Sequence, residues 1–486
     1  MNADYDVIVV GGGPAGSTAA TVVAMRGHRV LLLERDTFPR YQIGESLLPA
    51  TVHGLCRILG VADEVARAGF TLKRGGTMRW GREPEPWQFS FAMSPRLPEP
   101  TSTAFQVERA RFDEILLRNA SRNGVDVREG SPVRRVVIDG ERVRGVEYIG
   151  PDGTARTAYA RFVIDASGNT SRIHSQAGGP RVYSEFFRNL AVFGYFAGGR
   201  RLPEPNSGNI FCAAFDNGWL WYIPLRDDLT SVGAVIAPDN ASAVQRDPRA
   251  AWQSMIQACP EVSRLLVDVP AATEPPYDQV RVRKDYSYWK NSFWRPGMVL
   301  VGDAACFVDP VLSSGVHLAT YGALLAARSI NACLAGDVPE ERAFAEFQTR
   351  YHREYGVFYE FLMAFYDMQG DDRSYFWSAK KISNVDLAEA AAFAELAGGL
   401  VSGDTAVRPE QFGERWRAAA ADLDDAVGRL AAAGGRVNPL VAAQVVGAAF
   451  RTGNDLQDQA LYGFPAETPV PSGLVTAKDG LAWTLA

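Results

Sequence analysis

The fold of this chain is decided by the stretch Leu300-Val301-Gly302-Asp303-Ala304-Ala305-Cys306-Phe307-Val308-Asp309-Pro310-Val311-Leu312-Ser313-Ser314-Gly315-Val316. The apolar run from Met298 to Val301 predicts a buried parallel strand that ends at Gly302-Asp303. A proline turn and a Ser-Ser-Gly turn follow, and the apolar segment from Val316 to Ile330 predicts a buried helix. The turn therefore lies beside the first turn of a helix, where unpaired N–H groups and the helix dipole favour an anion or an electron-rich ring.

The length and composition of the chain indicate a globular protein. A chain of 486 residues, 47% hydrophobic and 22% charged, is expected to form two or three structural units. Its 50 Lys and Arg against 56 Asp and Glu, without a dense basic run, exclude nucleic acid as a main partner. We find no signal leader or membrane span, and the five scattered cysteines lack metal-ligand spacing. We therefore expect a cytoplasmic protein without a metal site.

The N-terminus has the pattern of a βαβ unit. An apolar strand, Tyr5 to Val10, runs into Gly11-Gly12-Gly13-Pro14-Ala15-Gly16, and a helical pattern from Ser17 to Arg26 follows. The second strand, Arg29 to Leu33, ends on Glu34. The glycines allow a tight turn and close approach of a pyrophosphate, and the acid can accept hydrogen bonds from ribose hydroxyls. This combination predicts a dinucleotide site.

Flavin and nicotinamide enzymes share this fingerprint, and the acid at Gly302-Asp303 favours FAD because it suits the hydroxylated ribityl chain. Two candidate contacts stay open. Ser46 lies in a segment that could equally be a helix cap, and Arg109 could equally form a surface ion pair. The predicted FAD contacts are Gly11, Gly13, Pro14, Ala15, Gly16, Glu34, Arg35, Ser46, Arg109, Asp303, Ser313, Gly315 and Val316.

A single lysine, Lys73, lies between apolar neighbours and a glycine pair. Most lysines are solvated surface groups. The neighbours Phe70, Leu72 and Trp80 favour a partly desolvated ammonium, a state that suits catalysis.

A second sheet is predicted between about residues 181 and 237, where the sequence is rich in alternating strands and aromatic residues. In Trp219-Leu220-Trp221-Tyr222-Ile223-Pro224, both tryptophans fall on one face. Such a stripe is more often core than site. A sheet lying across a flavin would nonetheless form the wall of an aromatic-substrate cavity.

These elements predict a mixed α/β fold with three parts. Residues 1–75, 103–180 and 280–340 form a discontinuous FAD-binding domain. Residues 76–102 and 181–279 form a substrate-side β-sheet domain, and residues 341–486 form a mainly helical C-terminal region. The helices predicted there are 341–365, 386–397, 409–433 and 440–452.

The chain resembles the flavin-dependent halogenases over roughly residues 3 to 370. The resemblance rests on the N-terminal glycine motif, on the Trp-x-Trp-x-Ile-Pro run at Trp219, on the lysine motif around Lys73 and on the segment quoted first. It implies a glutathione-reductase-type FAD domain with an inserted antiparallel substrate sheet, as in para-hydroxybenzoate hydroxylase.

The resemblance also implies a chemistry for these residues. FADH2 from a separate flavin reductase reacts with oxygen to give a C4a-hydroperoxide. Chloride, held by backbone amides matching Ser314 and Gly315, becomes hypochlorous acid. The acid passes the indoles of Trp219 and Trp221 to Lys73, which holds it or forms a chloramine and delivers chlorine to an aromatic carbon. Lys73, Trp219 and Trp221 are the predicted catalytic residues.

One departure narrows the expected substrate. The halogenases of free tryptophan carry a glutamate in the anion turn, whereas this chain has Leu312 before Ser313-Ser314-Gly315. The pattern resembles the branch that acts on phenols and pyrroles tethered to an acyl or peptidyl carrier protein. We therefore expect a carrier protein as a partner in natural-product biosynthesis.

Three alternatives share parts of this pattern. An NAD(P)H-dependent flavin aromatic hydroxylase would share the fold but not the tryptophan pair or a need for Lys73. A geranylgeranyl-reductase-like flavoprotein would act on isoprenoid double bonds. A flavin-binding protein without catalysis would bind FAD and halogenate nothing.

Overall fold

The computed structural model describes residues 3–80, 85–93, 100–367 and 473–485. Its strands are β1 Tyr5–Val10, β2 Val30–Leu33, β3 Thr71–Lys73, β4 Gly75–Arg79, β5 Trp87–Ser90, β6 Ala104–Gln106, β7 Asp126–Arg128, β8 Val133–Asp139, β9 Arg142–Ile149, β10 Ala155–Asp165, β11 Val182–Phe196, β12 Ile210–Phe215, β13 Gly218–Arg226, β14 Leu229–Ile236, β15 Arg281–Trp289, β16 Trp294–Arg295, β17 Met298–Leu300, β18 Leu474–Thr476 and β19 Trp483–Leu485. Its α-helices are α1 Pro14–Ala24, α2 Cys56–Ile58, α3 Ala62–Arg67, α4 Arg109–Arg122, α5 Ala241–Arg246, α6 Pro248–Gln257, α7 Pro260–Leu265, α8 Gly315–Ala335 and α9 Glu340–Asp367. A π-helical segment, Ala50–Leu55, leads into α2.

The first sheet is the dinucleotide-binding layer. Its main path runs β16-β17-β10-β1-β2-β7, and a meander of β8 and β9 continues from the outer part of β10. The pairs of β1 with β2 and β10, of β10 with β17 and of β2 with β7 are parallel. The carboxyl ends of β1, β10 and β17 therefore lie side by side, so the glycine turn after β1 meets Asp303 after β17.

The second sheet runs β15-β11-β14-β13-β12-β4-β5 and is antiparallel except where β12 pairs with β4. One face packs against α6 and α7 and encloses a separate apolar cluster that includes Leu220 and Tyr222. Trp219, Trp221 and Ile223 point to the opposite face, which joins the main core. The predicted division of this strand into two faces is confirmed.

Helix α8 is the centre of the main core, where it packs against α1 and α9. Among the described residues it is the one helix long and apolar enough to cross a membrane by length and composition, and 78% of that window is buried inside the protein. Such burial is typical of the core helix of a globular fold. The mixed α/β fold, the terminal βαβ unit and the buried helix after the turn are all as predicted.

Two details of the predicted organisation need correction. The boundary at residue 280 is too early, because β15 pairs with β11 and belongs to the second sheet. The prediction of a mainly helical C-terminal region left out an antiparallel hairpin, which β18 and β19 form. The hairpin is short and its residues lack periodicity, so the sequence pattern did not indicate it. The helices predicted at 386–397, 409–433 and 440–452 lie outside the described residues.

Candidate active site

The glycine turn after β1 has the geometry that a pyrophosphate site needs. Gly11 has φ +102°, and a Cβ there would lie 2.5 Å from the carbonyl oxygen of Ala166. A Cβ on Gly16 would lie 1.8 Å from the carbonyl oxygen of Gly11. Pro14 and Ala15 open α1 behind Gly13, which caps the helix without a side chain. The turn is therefore packed against its own backbone as tightly as glycine alone allows, and it ends at the N-terminus of α1, where a pyrophosphate can bind.

The acid at the end of β2 is buried and faces this turn. Glu34 accepts hydrogen bonds from the Gly12 amide at 2.6 Å and from the Asp36 amide at 2.8 Å. Its carboxylate retains lone pairs for a ribose hydroxyl. Arg35 points outward, with its guanidinium bonded to Thr170 at 3.1 Å. The structure thus keeps Glu34 at the predicted site and places Arg35 at the surface of the same edge.

Arg109 and Ser46 are both associated with the loop that follows Arg40. Arg109 contacts this loop from α4, and Ser46 is part of it. The Arg109 guanidinium pairs with buried Asp113 and donates to the carbonyl oxygens of Ile43 at 2.7 Å and Gly44 at 3.1 Å. Arg109 therefore holds this loop from inside the protein and does not form a surface ion pair. Its contact with FAD stays a prediction. Ser46 is not a helix cap, because Pro49 occupies the cap position of the helical segment that follows. The Ser46 hydroxyl instead accepts a hydrogen bond from Lys73.

Asp303 lies at the carboxyl end of β17, half-buried. Burial raises the pKa of its carboxyl to about 6, and Arg109 and Arg181 oppose that rise. Its side chain has no hydrogen-bond partner among the described residues, whereas its backbone carbonyl accepts from Tyr288 at 2.5 Å. The carboxylate is consequently available to a polyhydroxyl ligand.

The turn before α8 presents unpaired donors. Ser313 adopts a left-handed conformation with φ 61° and ψ 26°, and the N–H groups of Ser314, Gly315 and Val316 donate to no carbonyl in the described part of the chain. The Ser314 hydroxyl is fully buried and unpaired there. A Cβ on Gly315 would meet no atom within 4 Å. Open space beside buried donors at a helix N-terminus suits a small anion and the edge of a ring.

Lys73 lies at the end of β3 and is 2% exposed. Its ammonium donates to the Ser46 hydroxyl at 2.8 Å and to the Leu47 carbonyl at 2.9 Å, and it lies 5.4 Å from the centre of the Phe91 ring. Burial lowers the pKa of Lys73 to about 7. No carboxylate pairs with it among the described residues. The amine is thus desolvated and held in place.

The two tryptophans of β13 belong to a wall of aromatic rings. Trp219 lies 6.1 Å from Trp221 and 6.3 Å from Trp80, measured between ring centres. The Trp219 indole donates to the Tyr366 hydroxyl at 2.7 Å, and that hydroxyl donates to Asp309 at 2.9 Å. Asp309 lies in the turn before α8, so Trp219 is linked through the Tyr366 hydroxyl to the segment that holds the unpaired amides.

Strand β12 connects the lysine to this turn. The Cys212 thiol lies 4.0 Å from the Val311 carbonyl oxygen, and Cys212 is the register partner of Trp221. The same thiol is within electrostatic range of both Lys73 and Asp309. Lys73, the tryptophans and the anion turn are therefore brought to one face of the second sheet, although they are distant in sequence.

These residues fit FAD. The glycine turn opens the N-terminus of α1, the kind of site that binds a diphosphate. The Asp303 carboxylate, unpaired among the described residues, suits a ribityl chain, and the unpaired amides at Gly315 face open space. Among the described residues no group of His, Cys, Asp and Glu is arranged to hold a metal ion.

The sequence profile described as tryptophan halogenase matches residues 6–99 and 94–407. The chain belongs to the flavin-dependent tryptophan halogenase family. It is 38% identical over 385 residues to a tryptophan 2-halogenase of Chondromyces crocatus, covering 78% of this chain and 71% of that protein. Members of this family are oxidoreductases that use FADH2 and chloride to halogenate aromatic substrates, so this chain is a flavin-dependent halogenase.

Solved structures of halogenases have the same fold. The myxobacterial chondrochloren halogenase CndH is 51% identical, with 99% of each chain covered and a TM-score of 0.79. The flavin-dependent halogenase CmlS is 32% identical, with 94% of this chain and 78% of that chain covered and a TM-score of 0.74. From Leu312 we expected a halogenase of the branch that acts on substrates tethered to a carrier protein. These relatives do not establish that branch, and one of them is a tryptophan 2-halogenase.

Several residues at the site were not predicted from sequence. Asp309 lies inside the stretch that decides the fold, and its aspartate-proline pair could have indicated a turn cap, as it caps Val311. Trp80 was named only as an apolar neighbour of Lys73. Tyr366 lies at the end of the long helix α9, and no local signal marks it because its contacts are made across 147 and 57 residues of sequence.

Proposed function

We propose that this halogenase chlorinates an electron-rich phenolic ring that is presented as a thioester on an acyl or peptidyl carrier protein. The observation that carries the proposal is the apolar residue Leu312 where a carboxylate would stand in the anion turn. It is buried at 6% exposure beside the unpaired amides. A phenol is already activated for electrophilic attack and does not need that acid, whereas the indole of free tryptophan does.

The proposed roles follow from the geometry of the side chains. Bound reduced FAD, with oxygen, supplies the oxidising equivalents that convert chloride to hypochlorous acid. The amides of Ser314 and Gly315 hold the chloride in a desolvated site, where hydrogen bonds to an anion are strong. Trp219 and Trp221 close the space between this turn and the substrate, so that the ring does not reach the flavin.

Lys73 is proposed to hold and polarise the oxidant. A buried amine whose pKa lies near 7 is present both as ammonium and as free amine at neutral pH. The ammonium can donate a hydrogen bond to the hypochlorite oxygen, which weakens the Cl–O bond, and the free amine can carry chlorine as a chloramine. Either form places chlorine next to the substrate and away from bulk water.

The proposed partners are a separate flavin reductase, which the family needs for its FADH2, and a carrier protein in the cytoplasm. The family uses FADH2 that diffuses between two enzymes, so the glycine cradle must exchange its cofactor. We propose that the carrier docks on the C-terminal region, residues 341–486, of which residues 368–472 lie outside the described residues.

The substrate assignment is tested by mass spectrometry of whole carrier proteins. Carriers loaded with tyrosyl, β-tyrosyl or phenolic polyketide thioesters are incubated with reductase, NADH, FAD, oxygen and chloride, beside the matching free acids. We expect the loaded carriers to gain chlorine in place of hydrogen and the free acids to react poorly. Equal turnover of free and loaded phenols would contradict the tethering.

Free tryptophan is the second candidate, favoured by the tryptophan 2-halogenase that is 38% identical to this chain. The same incubation with free tryptophan distinguishes it. Chlorotryptophan formed faster than any chlorinated carrier would replace the phenol proposal. A gain of oxygen without chlorine would instead favour the aromatic hydroxylase alternative.

A further inference from the structure

A buried carboxyl group lies at the inner end of a line of phenols. Glu45 is 2% exposed, and its Oε1 accepts a hydrogen bond from the Tyr195 hydroxyl at 2.8 Å. The Tyr195 hydroxyl lies 2.7 Å from the Tyr41 hydroxyl, and the two rings pack edge to face. Tyr41 is partly exposed. An unbroken set of hydrogen bonds thus joins a buried acid to the protein surface.

The inner end of this line belongs to the cofactor side of the site. Glu45 lies on the loop whose Ile43 and Gly44 carbonyls are held by Arg109. The Arg109 guanidinium interacts electrostatically with both Glu45 and Asp303. The Oε2 atom of Glu45 is buried and accepts no hydrogen bond of normal geometry from the described residues, although the Ser231 hydroxyl lies close to the carboxyl group. A buried acid with a free oxygen is a place where a proton can be stored.

The surroundings keep this acid ready to change its protonation state. Burial raises the pKa of Glu45 to about 7, against the opposing effects of the Ser231 and Tyr195 hydroxyls and of Arg109. The neighbouring acid Glu108 raises it further.

The outer end of the line is flanked by ionisable groups as well. Tyr277 packs on Tyr195 at 4.7 Å between ring centres and donates to Glu108 at 2.8 Å. The Arg281 guanidinium covers the Tyr41 ring at 4.0 Å, and the charge of Arg283 also reaches Tyr41. Both arginines are cationic, so they do not themselves accept a proton at neutral pH.

The halogenation reaction needs a proton at a site closed to water. Written in full, FADH2, O2, Cl⁻, Ar–H and H⁺ give FAD, Ar–Cl and two H2O. The flavin and the chloride each lose two electrons, and oxygen gains four. One C–Cl bond replaces one C–H bond, and the released hydrogen leaves in water. One proton must therefore enter the site for each chloride that is consumed.

We propose that Glu45, Tyr195 and Tyr41 form the path by which this proton reaches the flavin side of the site. Glu45 Oε2 holds the proton inside the protein. When it is given up, the Tyr195 hydroxyl passes its own proton to Glu45 Oε1 and takes one from Tyr41, which recovers one from solvent. Rotation of the carboxyl group then returns the protonated oxygen to the inner position. The path serves the halogenation reaction itself and does not depend on which aromatic substrate is chlorinated.

Infrared difference spectroscopy of the protein without substrate tests directly whether the Glu45 carboxyl holds a proton. We expect the carbonyl band of a protonated carboxylic acid to disappear with a midpoint near pH 7, and Glu45→Gln to lack it. Bands from Asp303 and Asp309 persist in this variant because their carboxyls are unchanged. In Tyr195→Phe the band remains and its midpoint moves upward, because the ionised carboxylate has lost a donor. The matched control, Tyr222→Phe, removes a hydroxyl from β13, two strands away in the same sheet. That hydroxyl donates to the Arg200 carbonyl instead, so its loss should leave the band unchanged.

Turnover supplied with pre-reduced FAD tests the path. Without the relay, protons have to enter the closed site more slowly from solvent. Glu45→Gln and Tyr195→Phe should therefore each lower the rate by about a hundredfold or more, without weakening FAD binding. The Tyr222→Phe variant should keep its rate. A Glu45 carboxyl that is ionised at pH 5, or a Tyr195→Phe variant with the wild-type rate and pH profile, would overturn the proposal. The Tyr195 variant keeps the test open even if Glu45→Gln does not fold.

Discussion

At the scale of single residues, burial of Lys73 lowers the stability of the fold and gives the site a reactive amine. A fully buried amine without a carboxylate partner destabilises the fold, because its charged form has left water for a less polar surrounding. The Ser46 hydroxyl and the Leu47 carbonyl compensate only part of that loss. A purely structural position would be filled by an apolar side chain of the same length. The retained amine is therefore best explained by chemistry.

Lys73→Met should remove one component of the pH dependence of stability. The folded-state pKa, about 7, is below the ordinary value of 10.5, so the folded protein binds fewer protons than the unfolded chain between those pH values. The free energy of unfolding of the wild-type protein, relative to that of Lys73→Met, therefore rises as pH increases from 7 toward 10.5. The rise is up to about 1.4 kcal/mol per pH unit. Urea unfolding of both proteins across this range measures the difference. A constant difference between them would show that the amine is not buried.

The sequence predicted Lys73 and both tryptophans as site residues because each lies in a local motif. It could not predict that the Ser46 hydroxyl bonds the lysine, or that Arg109 grips a loop and pairs with buried Asp113. Those contacts depend on the three-dimensional packing of segments that are distant in sequence, which a local sequence pattern does not predict. The same limitation hid Glu45, whose partner Tyr195 is 150 residues away.

At the scale of elements, the N-terminus of α8 is the part of the fold built to receive a ligand. Its first amides are unpaired, its cap hydroxyl on Ser314 is buried and unpaired among the described residues, and Gly315 leaves open space. The Ser-Ser-Gly turn and the apolar run after it predicted this arrangement correctly, because a helix start carries its own signature in sequence.

Gly315→Ala should weaken halide use without weakening the fold. The new methyl group meets no protein atom within 4 Å, so the free energy of unfolding should change by less than about 1 kcal/mol. The methyl occupies the space next to the amides, and the chloride concentration for half-maximal rate should rise several-fold. Gly356→Ala is the matched control, since it also adds a methyl group to open space on a helix. Unchanged chloride dependence in the Gly315 variant would remove this turn from anion binding.

The end of α9 fixes the aromatic wall through Tyr366. Tyr366→Phe leaves the Trp219 indole N–H without its partner and takes one donor from Asp309. We expect a loss of about 1–3 kcal/mol in the free energy of unfolding and a higher pKa for Asp309, which this hydrogen bond lowers. Denaturant titrations at pH 5 and pH 8 measure both effects. Unfolding that matches wild type at both pH values would show that the hydroxyl is dispensable.

At the scale of the whole molecule, the C-terminal hairpin returns to the FAD-binding layer. Trp483 is buried, its indole donates to Ser329 of α8 at 2.8 Å, and the Arg350 guanidinium of α9 lies 4.7 Å from its ring centre. The end of the chain thus packs on the two helices that carry the anion turn and Tyr366. Sequence could not indicate this packing, because three-residue strands carry almost no pattern.

Trp483→Ala should destabilise the FAD-binding layer by about 3–5 kcal/mol, since it removes a large buried side chain and its hydrogen bond. Leu485→Ala is the control, because that side chain is 55% exposed in the same strand and should cost less than about 0.5 kcal/mol. Thermal unfolding followed by flavin fluorescence distinguishes them. Equal melting temperatures for the two variants would mean that the hairpin does not stabilise the layer.

The most direct test of the account compares wild type and Lys73→Met in one assay with reduced FAD, oxygen, chloride, a phenolic substrate and a soluble scavenger of hypochlorous acid. Flavin oxidation, scavenger chlorination and substrate chlorination are measured together. We predict that the variant oxidises the flavin at the wild-type rate, gives hypochlorous acid to the scavenger and leaves the substrate unchlorinated. Substrate chlorination by Lys73→Met at the wild-type rate would contradict delivery of the halogen by the buried lysine.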